Sequence, residues 1–259
     1  MRHPHGLFGW VDLATADVEA ARAFYGDLFG WSTLDIPMGP DYTYTQFLLD
    51  GQRVAGMGPL TPDMAAAGLP SAWSSYVLVD DAEAVTAAAA AAGGTVLAPV
   101  MEIPGQGRMA TFADPSGAVV GVWEPGGHEG AEVFNVPGSL TWNELQSRDL
   151  DAAAPFYARV FGWRWAPMDD GSGYLVGHLD TKPGDDTSNC GAMAMPPGVP
   201  DEVPSLWMVY FAVADTQASF DRALELGASV MFEPMAMGPG TFAGIVDPTG
   251  AGFSLGAFG

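Results

Sequence analysis

The amino-acid sequence predicts an α+β fold made of four βαβββ modules in two domains. One observation is an internal repeat. The segment GWVDLATADVEAARAFYGDLFGW in the first half corresponds to TWNELQSRDLDAAAPFYARVFGW in the second, so that Trp10 recurs as Trp142 and Trp31 as Trp163. A second is a weaker repeat inside each half, where one strand pattern, one helix pattern and three more strand patterns follow each other. Repetition at a fixed period indicates a duplicated structural unit.

The first module contains the clearest helix signal. An alternating pattern over residues 7–13 favours a strand, and Asp17 supplies a side-chain oxygen that can cap the helix that follows. Apolar residues then recur at helical spacing until Gly30, a residue suited to a helix C-terminus. Short strand patterns complete the module at about 31–37, 42–49 and 53–58.

The other modules follow the same order. Residues 73–123 contain a strand, an alanine-rich helix that stops at Gly93-Gly94, and three further strands. The second half has its later helix near 215–226. Sequence rich in Gly and Pro, without an apolar period, separates the two halves. We therefore predict domains at residues 6–126 and 138–259, joined by a linker at 127–137.

The composition excludes several classes of partner. Thirty-one acidic against nine basic side chains give a net charge of −22, which repels nucleic-acid phosphates and anionic membrane surfaces. No apolar stretch is long enough to span a membrane or to form a secretory signal, so we expect a cytoplasmic protein. The single cysteine, Cys190, excludes an internal disulfide. A monomer and a homodimer are both compatible with this composition.

The helix ending in FY…FGW and the turns DPSG and DPTG resemble motifs of the vicinal oxygen chelate superfamily. The tandem copies resemble its two-domain actinobacterial members of glyoxalase/bleomycin-resistance type. The superfamily includes glyoxalase I, extradiol dioxygenases, fosfomycin resistance enzymes and bleomycin-binding proteins. The resemblance implies that modules pair, either within each half or between the halves, so that their cup-shaped mixed sheets hold a ligand. It does not imply one activity, because this fold carries many chemistries.

The resemblance also implies where a metal would be bound, by two His and two Glu on four strands. Those positions hold Trp10 and Trp142, Ser74 and Met208, Gly121 and Ser254, and Gly56 and Met193. None of these residues is a ligand that divalent metals favour. Three of the four histidines, His3, His5 and His128, fall in an N-terminal tail expected to be frayed or in the linker. A lone strand histidine such as His178 is more often structural, so we expect no metal and no cofactor.

Aromatic and acidic residues are predicted to fill the cups instead. Side chains two apart on a strand share a face, so Trp10 lies beside Asp12, and Trp142 beside Glu144 and Gln146. An aromatic wall next to a carboxylate suits a flat or cationic organic ligand. The other predicted ligand-binding residues share these faces or lie near the mouths of the cups: Tyr44, Gln46, Ser74, Tyr76, Trp123, His178, Met193, Met208 and Tyr210.

Two alternatives to a ligand site stay open at this point. Sheet cores also use Trp and Tyr, so the tryptophans could be packing residues. A nearby arginine such as Arg22 or Arg159 could neutralise the buried carboxylates. Trp73 and Trp207 are expected to point away from the cups and to serve packing in both copies.

Two functions from different classes fit these observations. The favoured hypothesis is a metal-free protein that binds a small aromatic or cationic metabolite or antibiotic, for sequestration, resistance or an accessory role in secondary metabolism. The alternative is a metal-independent enzyme of glyoxalase, hydroxylase or isomerase type, with Asp12 and Glu144 as catalytic acid or base. A metal enzyme that uses Asp12, Glu144 or His178 as ligands has the least support.

Overall fold

The computed structural model describes residues 3–40, 42–238 and 240–258, so Gly259, the predicted end of the second domain, lies outside it. All four predicted βαβββ modules are present. The first consists of β1 (Phe8–Thr15), α1 (Val18–Phe29), β2 (Ser32–Pro37), β3 (Thr43–Leu49) and β4 (Gln52–Pro59). A short helix that the sequence did not predict, α2 (Pro62–Ala66), follows it. The second consists of β5 (Ala72–Leu78), α3 (Ala82–Ala91), β6 (Thr95–Ile103), β7 (Gly107–Ala113) and β8 (Val119–Pro125).

The second half repeats this arrangement. The third module consists of β9 (Leu140–Ser147), α4 (Leu150–Phe161), β10 (Arg164–Pro167), β11 (Leu175–His178) and β12 (Ser188–Ala194). The fourth consists of β13 (Leu206–Ala212), α5 (Thr216–Glu225), β14 (Ser229–Met237), β15 (Gly240–Val246) and β16 (Gly252–Phe258).

The strands form two eight-stranded mixed sheets. Their orders are β2-β3-β4-β1-β5-β8-β7-β6 and β10-β11-β12-β9-β13-β16-β15-β14. In each module the first strand runs parallel to the last. The intervening hairpins are antiparallel. The predicted α+β class with mixed sheets is therefore confirmed.

The chain divides into two compact units, and each combines one module from either half of the sequence. Unit I contains the described residues up to Gly9, Ser75–Gly130 and Trp142–Met208, and unit II contains Trp10–Ser74, Ala131–Thr141 and the described residues from Val209 onward. In the core of unit I, α3 lies near α4, and Phe112 meets Phe156 edge to face. In the core of unit II, α1 lies near α5, and Phe24 meets Phe253 edge to face.

A capping aspartate begins each of the four module helices. Each of these side chains accepts a hydrogen bond from the backbone amide three residues further on, and they are Asp17, Asp81, Asp149 and Asp215. Such a cap stabilises a helix by about 1 kcal/mol. The predicted stop at Gly30 is also confirmed, because this residue adopts φ 73° at the end of α1, a left-handed conformation that glycine adopts without strain.

The predicted linker contains no helix or strand, but it is packed against the protein. His128 and Ala131 are buried, and the Trp123 indole donates a hydrogen bond to the His128 carbonyl at 2.8 Å. The N-terminal tail also differs from the expected frayed segment, because His5 Nδ1 accepts a hydrogen bond from the Asp80 amide at 3.1 Å. None of the helices built from described residues has the length and apolar character needed to cross a membrane.

Candidate functional site

A group of polar side chains on strands β1 and β3 of unit II, Trp10, Asp12 and Tyr44, forms what we call the first cluster. Alternation along β1 places Val11 and Leu13 in the buried core, so Trp10 and Asp12 lie on the opposite face. Tyr44, on β3, reaches over the intervening strand β4 to join them. The predicted neighbourhood of Trp10 and Asp12 is therefore present, with a tyrosine added from two strands away.

A glycine on β4 makes this approach possible. Gly56 pairs in register with Asp12, and a Cβ atom at this position would overlap both the Tyr44 hydroxyl and Asp12 Oδ1. Any larger residue would have to displace one of these groups. Gly56, near which the family resemblance implied a metal ligand, thus leaves space for a phenol and a carboxylate.

Only one of the two oxygens of the Asp12 carboxylate accepts hydrogen bonds from the described residues. Its Oδ1 accepts hydrogen bonds from Trp10 Nε1 at 2.9 Å and from the Tyr44 hydroxyl at 2.6 Å. Within the part of the chain that the structure describes, no group donates a hydrogen bond to Oδ2. Burial raises the pKa of Asp12 from 3.8 to about 6, and the two hydrogen bonds only partly oppose this rise.

A second tyrosine extends the first cluster toward solvent. Tyr42 is more exposed than Tyr44, and its hydroxyl occupies the space above Gly58 in the way that Tyr44 occupies the space above Gly56. Burial and the negative charge of Asp12 raise the pKa of Tyr42. Asp12 is therefore close enough to Tyr42 to oppose the ionisation of the Tyr42 hydroxyl.

Unit I carries an equivalent group, Trp142, Glu144, Gln146 and Tyr174, which we call the second cluster. The Tyr174 hydroxyl accepts a hydrogen bond from Trp142 Nε1 at 2.9 Å and donates one to Glu144 Oε2 at 3.0 Å. Gln146 Nε2 donates to Glu144 Oε1 at 3.0 Å. Gly191, in register with Glu144, again leaves the space that the tyrosine hydroxyl fills.

Tyr174, like His178, was expected from the sequence to line the mouth of a cup, but not to contact Trp142 or Glu144. Its signal was present in the sequence, because Tyr44 and Tyr174 stand at similar places in the two copies of the repeat. The contacts themselves depend on the register of β11 and β12 with β9, which the repeat alone does not give.

Arg22 and Arg159 do not neutralise the two carboxylates. Arg22 forms hydrogen bonds with Asp35 at 2.9 Å and with Thr33, at the edge of the sheet near α1. Arg159 is an exposed residue of α4. The alternative in which these arginines satisfy Asp12 or Glu144 is therefore wrong.

The other predicted residues have varied surroundings. Gln46 is buried and pairs with Gly56, so it lies in the same row across the sheet as Asp12. His178 Nδ1 lies 3.0 Å from Thr187 Oγ1. Tyr76 covers Gly121, where a Cβ atom would overlap its ring. Of the remainder, Trp123, Met208 and Tyr210 are buried, Met193 is partly buried and Ser74 is exposed.

Comparisons with known proteins identify the family. The model described as Glyoxalase/Bleomycin resistance protein/Dioxygenase superfamily matches residues 7–122, and one described as Glyoxalase-like domain matches residues 143–256. The CFP32 protein of Mycobacterium tuberculosis, provisionally named a glyoxylase, is 40% identical over 253 residues, which cover 96% of this chain and 94% of that protein. This chain belongs to the glyoxalase/bleomycin resistance protein/dioxygenase superfamily.

Further comparisons give one more relative in sequence and two solved structures with the same fold. The anthracycline biosynthesis protein DnrV of Streptomyces peucetius is 39% identical over 267 residues, covering 98% of this chain and 94% of its own. The Mn(II)-bound glyoxalase from Novosphingobium aromaticivorans superimposes with a TM-score of 0.68 at 19% identity, over 99% of this chain and 83% of its own. The 2,3-dioxygenase LapB from Pseudomonas sp. KL28 superimposes with a TM-score of 0.66 at 16% identity, over 98% of this chain and 93% of its own. At such low identity, the two structures show the fold alone.

The residues at the superfamily's metal positions do not fit a divalent cation. The Trp10 indole N–H is a donor that already binds Asp12, and Gly56 and Gly121 have no side chain. Ser254 offers one neutral hydroxyl, which is buried and has no hydrogen-bond partner among the described residues. Nowhere in the described ranges do three His, Cys, Asp or Glu side chains form a group that could hold a metal.

Proposed function

We propose that the chain binds a small aromatic metabolite without a metal, through the clusters of Trp, Tyr and carboxylate on its sheets. The observation that carries this proposal is the duplication of one arrangement. Both clusters place an indole N–H, a phenol hydroxyl and a carboxylate around a glycine that leaves room for them. In each cluster the carboxylate lies on the strand face opposite the neighbouring core residue, Leu13 or Leu145, so it is not part of the packed apolar core.

The chemistry of the first cluster defines the class of ligand. Tyr44, which is partly exposed, offers an aromatic ring beside the buried Trp10 indole, and Asp12 Oδ2 offers an acceptor for a hydroxyl or an ammonium group. A surface with net charge −22 favours a cation over an anion. Kinship with an anthracycline biosynthesis protein supports a planar, hydroxylated ring system, since such a molecule combines stacking faces with donors.

A fluorescence titration with two probes tests this proposal. We expect an anthracycline that bears an amino sugar to quench tryptophan emission with saturation, and its neutral aglycone to bind more weakly. Asp12→Asn should weaken binding of the cationic probe about tenfold, the effect of losing roughly 1.4 kcal/mol. Asp27→Asn changes the same charge at an exposed site and should have no effect. Unsaturable, identical quenching of all three proteins by both probes would contradict the proposal.

The raised pKa of Asp12 favours a second candidate, a metal-independent enzyme in which this carboxylate moves a proton. A carboxyl with a pKa of about 6 is mostly ionised at pH 7 and is a stronger base than an ordinary aspartate. In the isomerisation of a hemithioacetal, such a base would take the proton from one carbon and return it to the next, which yields a thioester without any oxidant.

Turnover of the hemithioacetal of methylglyoxal and glutathione tests the second candidate. The protein is first dialysed against a chelator, and thioester formation is followed by ultraviolet absorbance. We expect the rate to rise with pH through about 6, because the base must be ionised. Asp12→Asn should abolish turnover, and Asp27→Asn should preserve it. Equal rates in both variants would exclude Asp12 as the base.

A further inference from the structure

We infer that only the first cluster is open to a ligand, and that the residue two positions after each carboxylate, Ala14 or Gln146, decides which cluster is open. The chain would then bind one ligand molecule although it carries two copies of the site. This inference rests on the proposed function, since it concerns binding at the same clusters.

The second cluster satisfies its own carboxylate. Gln146 and Glu144 lie on the same face of β9, and the amide of Gln146 donates to Oε1 at 3.0 Å. Tyr174 donates to Oε2, also at 3.0 Å. Both oxygens of Glu144 therefore have protein donors, and Glu144 is buried, with 7% of its surface exposed. A ligand would have to displace one of these donors before it could bind the carboxylate.

The first cluster lacks the corresponding donor. Ala14 is the counterpart of Gln146 in the repeat and lies on the same face of β1 as Asp12, but its methyl group cannot form a hydrogen bond. Both donors to Asp12, from Trp10 and Tyr44, converge on Oδ1. No group in the described segments donates to Oδ2, so this oxygen keeps its capacity to accept a hydrogen bond from a ligand.

The difference between the clusters is large enough to select one of them. A hydrogen bond from a neutral donor to a charged carboxylate contributes roughly 1.5 kcal/mol or more, which corresponds to at least about tenfold in affinity. A ligand at the second cluster would lose this amount when it displaced Gln146. A ligand at the first cluster would instead bind to an acceptor oxygen of Asp12 without displacing a protein donor.

Exchange of the two residues tests the inference. The probe is an anthracycline that bears an amino sugar, and its stoichiometry is measured by isothermal titration calorimetry. We expect one molecule per chain in the wild type, at least tenfold weaker binding in Ala14→Gln, and a second binding event in Gln146→Ala. Ala14→Met adds similar bulk without a donor and should weaken binding less than Ala14→Gln. Two equal sites in the wild type, or loss of binding in Glu144→Gln but not in Asp12→Asn, would overturn the inference.

A readout without ligand separates this inference from the proposed function. Carbon NMR of labelled carboxyl groups follows the titration of Asp12, which accepts a hydrogen bond from Tyr44 and lies near Tyr42, whose pKa is raised by burial and by the charge of Asp12. Ala14→Gln should lower the midpoint of the Asp12 titration, because a new donor stabilises the carboxylate, and Ala14→Met should not lower it. If no probe binds, the proposed function fails, whereas this measurement still shows whether a donor at residue 14 reaches the Asp12 carboxylate. An unchanged midpoint in Ala14→Gln would overturn it.

Discussion

Asp12 and Glu144, at equivalent positions of the repeat, differ in how many of their carboxylate oxygens accept a hydrogen bond. Glu144 has donors on both oxygens, whereas Asp12 has donors on one. Burial without full compensation disfavours the charged form, and this imbalance explains why the pKa of Asp12 rises to about 6. The first cluster therefore leaves a carboxylate partly unsatisfied where the second cluster supplies a donor to each oxygen.

The pH dependence of stability follows from this shift at Asp12. Because the pKa is higher in the folded protein than in the unfolded chain, the folded state binds the proton more tightly, and the penalty for ionisation develops as pH rises from about 4 through 6. Asp12→Asn removes the penalty and keeps an oxygen that can accept from Trp10 and Tyr44. We expect this variant to be more stable than the wild type by about 1 to 3 kcal/mol at pH 7.5, with little difference at pH 3.5.

Urea unfolding at the two pH values measures this difference. The exposed control Asp27→Asn should match the wild type at both. A stability difference for Asp12→Asn that is the same at pH 3.5 and pH 7.5 would show that Asp12 has no raised pKa in the folded state.

Sequence patterns predicted some of these residue contacts and not others. The alternation of β1 was enough to place Trp10 beside Asp12, because side-chain direction on a strand has a period of two. The contact with Tyr44 depends on the register of three strands and on the missing side chain of Gly56, and neither can be derived from local pattern. The same limit made Arg22 look like a candidate partner for Asp12, although it bonds Asp35.

At the scale of secondary-structure elements, a buried hydrogen-bonded chain ties a helix of one half to a turn of the other. The Tyr25 hydroxyl, on α1, donates to Asp247 Oδ2 at 2.8 Å and accepts from Trp73 Nε1 at 2.9 Å. In unit I, Trp207 Nε1 donates to the Tyr157 hydroxyl at 2.7 Å, and the charge of Asp114 contributes to the raised pKa of Tyr157. The packing role predicted for Trp73 and Trp207 is thus confirmed.

Removal of the Tyr25 hydroxyl should destabilise unit II. Tyr25→Phe leaves a buried carboxylate oxygen of Asp247 and the Trp73 N–H without their partner, and an unsatisfied buried polar group costs about 1 to 3 kcal/mol. We expect a decrease of this size in the free energy of unfolding, measured in urea. A double-mutant cycle with Asp247→Asn should show coupling between the two residues. Fully additive effects would mean that the hydrogen bond does not stabilise the fold.

At the scale of the whole molecule, duplication made the architecture predictable. A repeat that spans each half of the chain, with four helix patterns and recurrent strand patterns, was sufficient for the βαβββ order, whereas the mixed sheets were implied by the family resemblance. It was not sufficient to show that each compact unit would combine modules from opposite halves, because such pairing depends on which apolar faces fit together. The short helix α2 was missed because Pro62–Ala66 is too short to establish a period.

The net charge of −22 acts on every ligand that approaches the protein. A cationic ligand is attracted over a distance of about one Debye length, roughly 8 Å at physiological ionic strength, and added salt shortens this distance. We therefore expect binding of an anthracycline that bears an amino sugar to weaken severalfold between about 50 and 500 mM sodium chloride. Binding of the neutral aglycone should change little or strengthen slightly, since salt does not weaken the burial of apolar rings.

Calorimetric titration of both probes across this range measures the effect, and the aglycone serves as the internal control. Equal salt dependence for both probes would show that the charge of the molecule has no part in selecting its ligand.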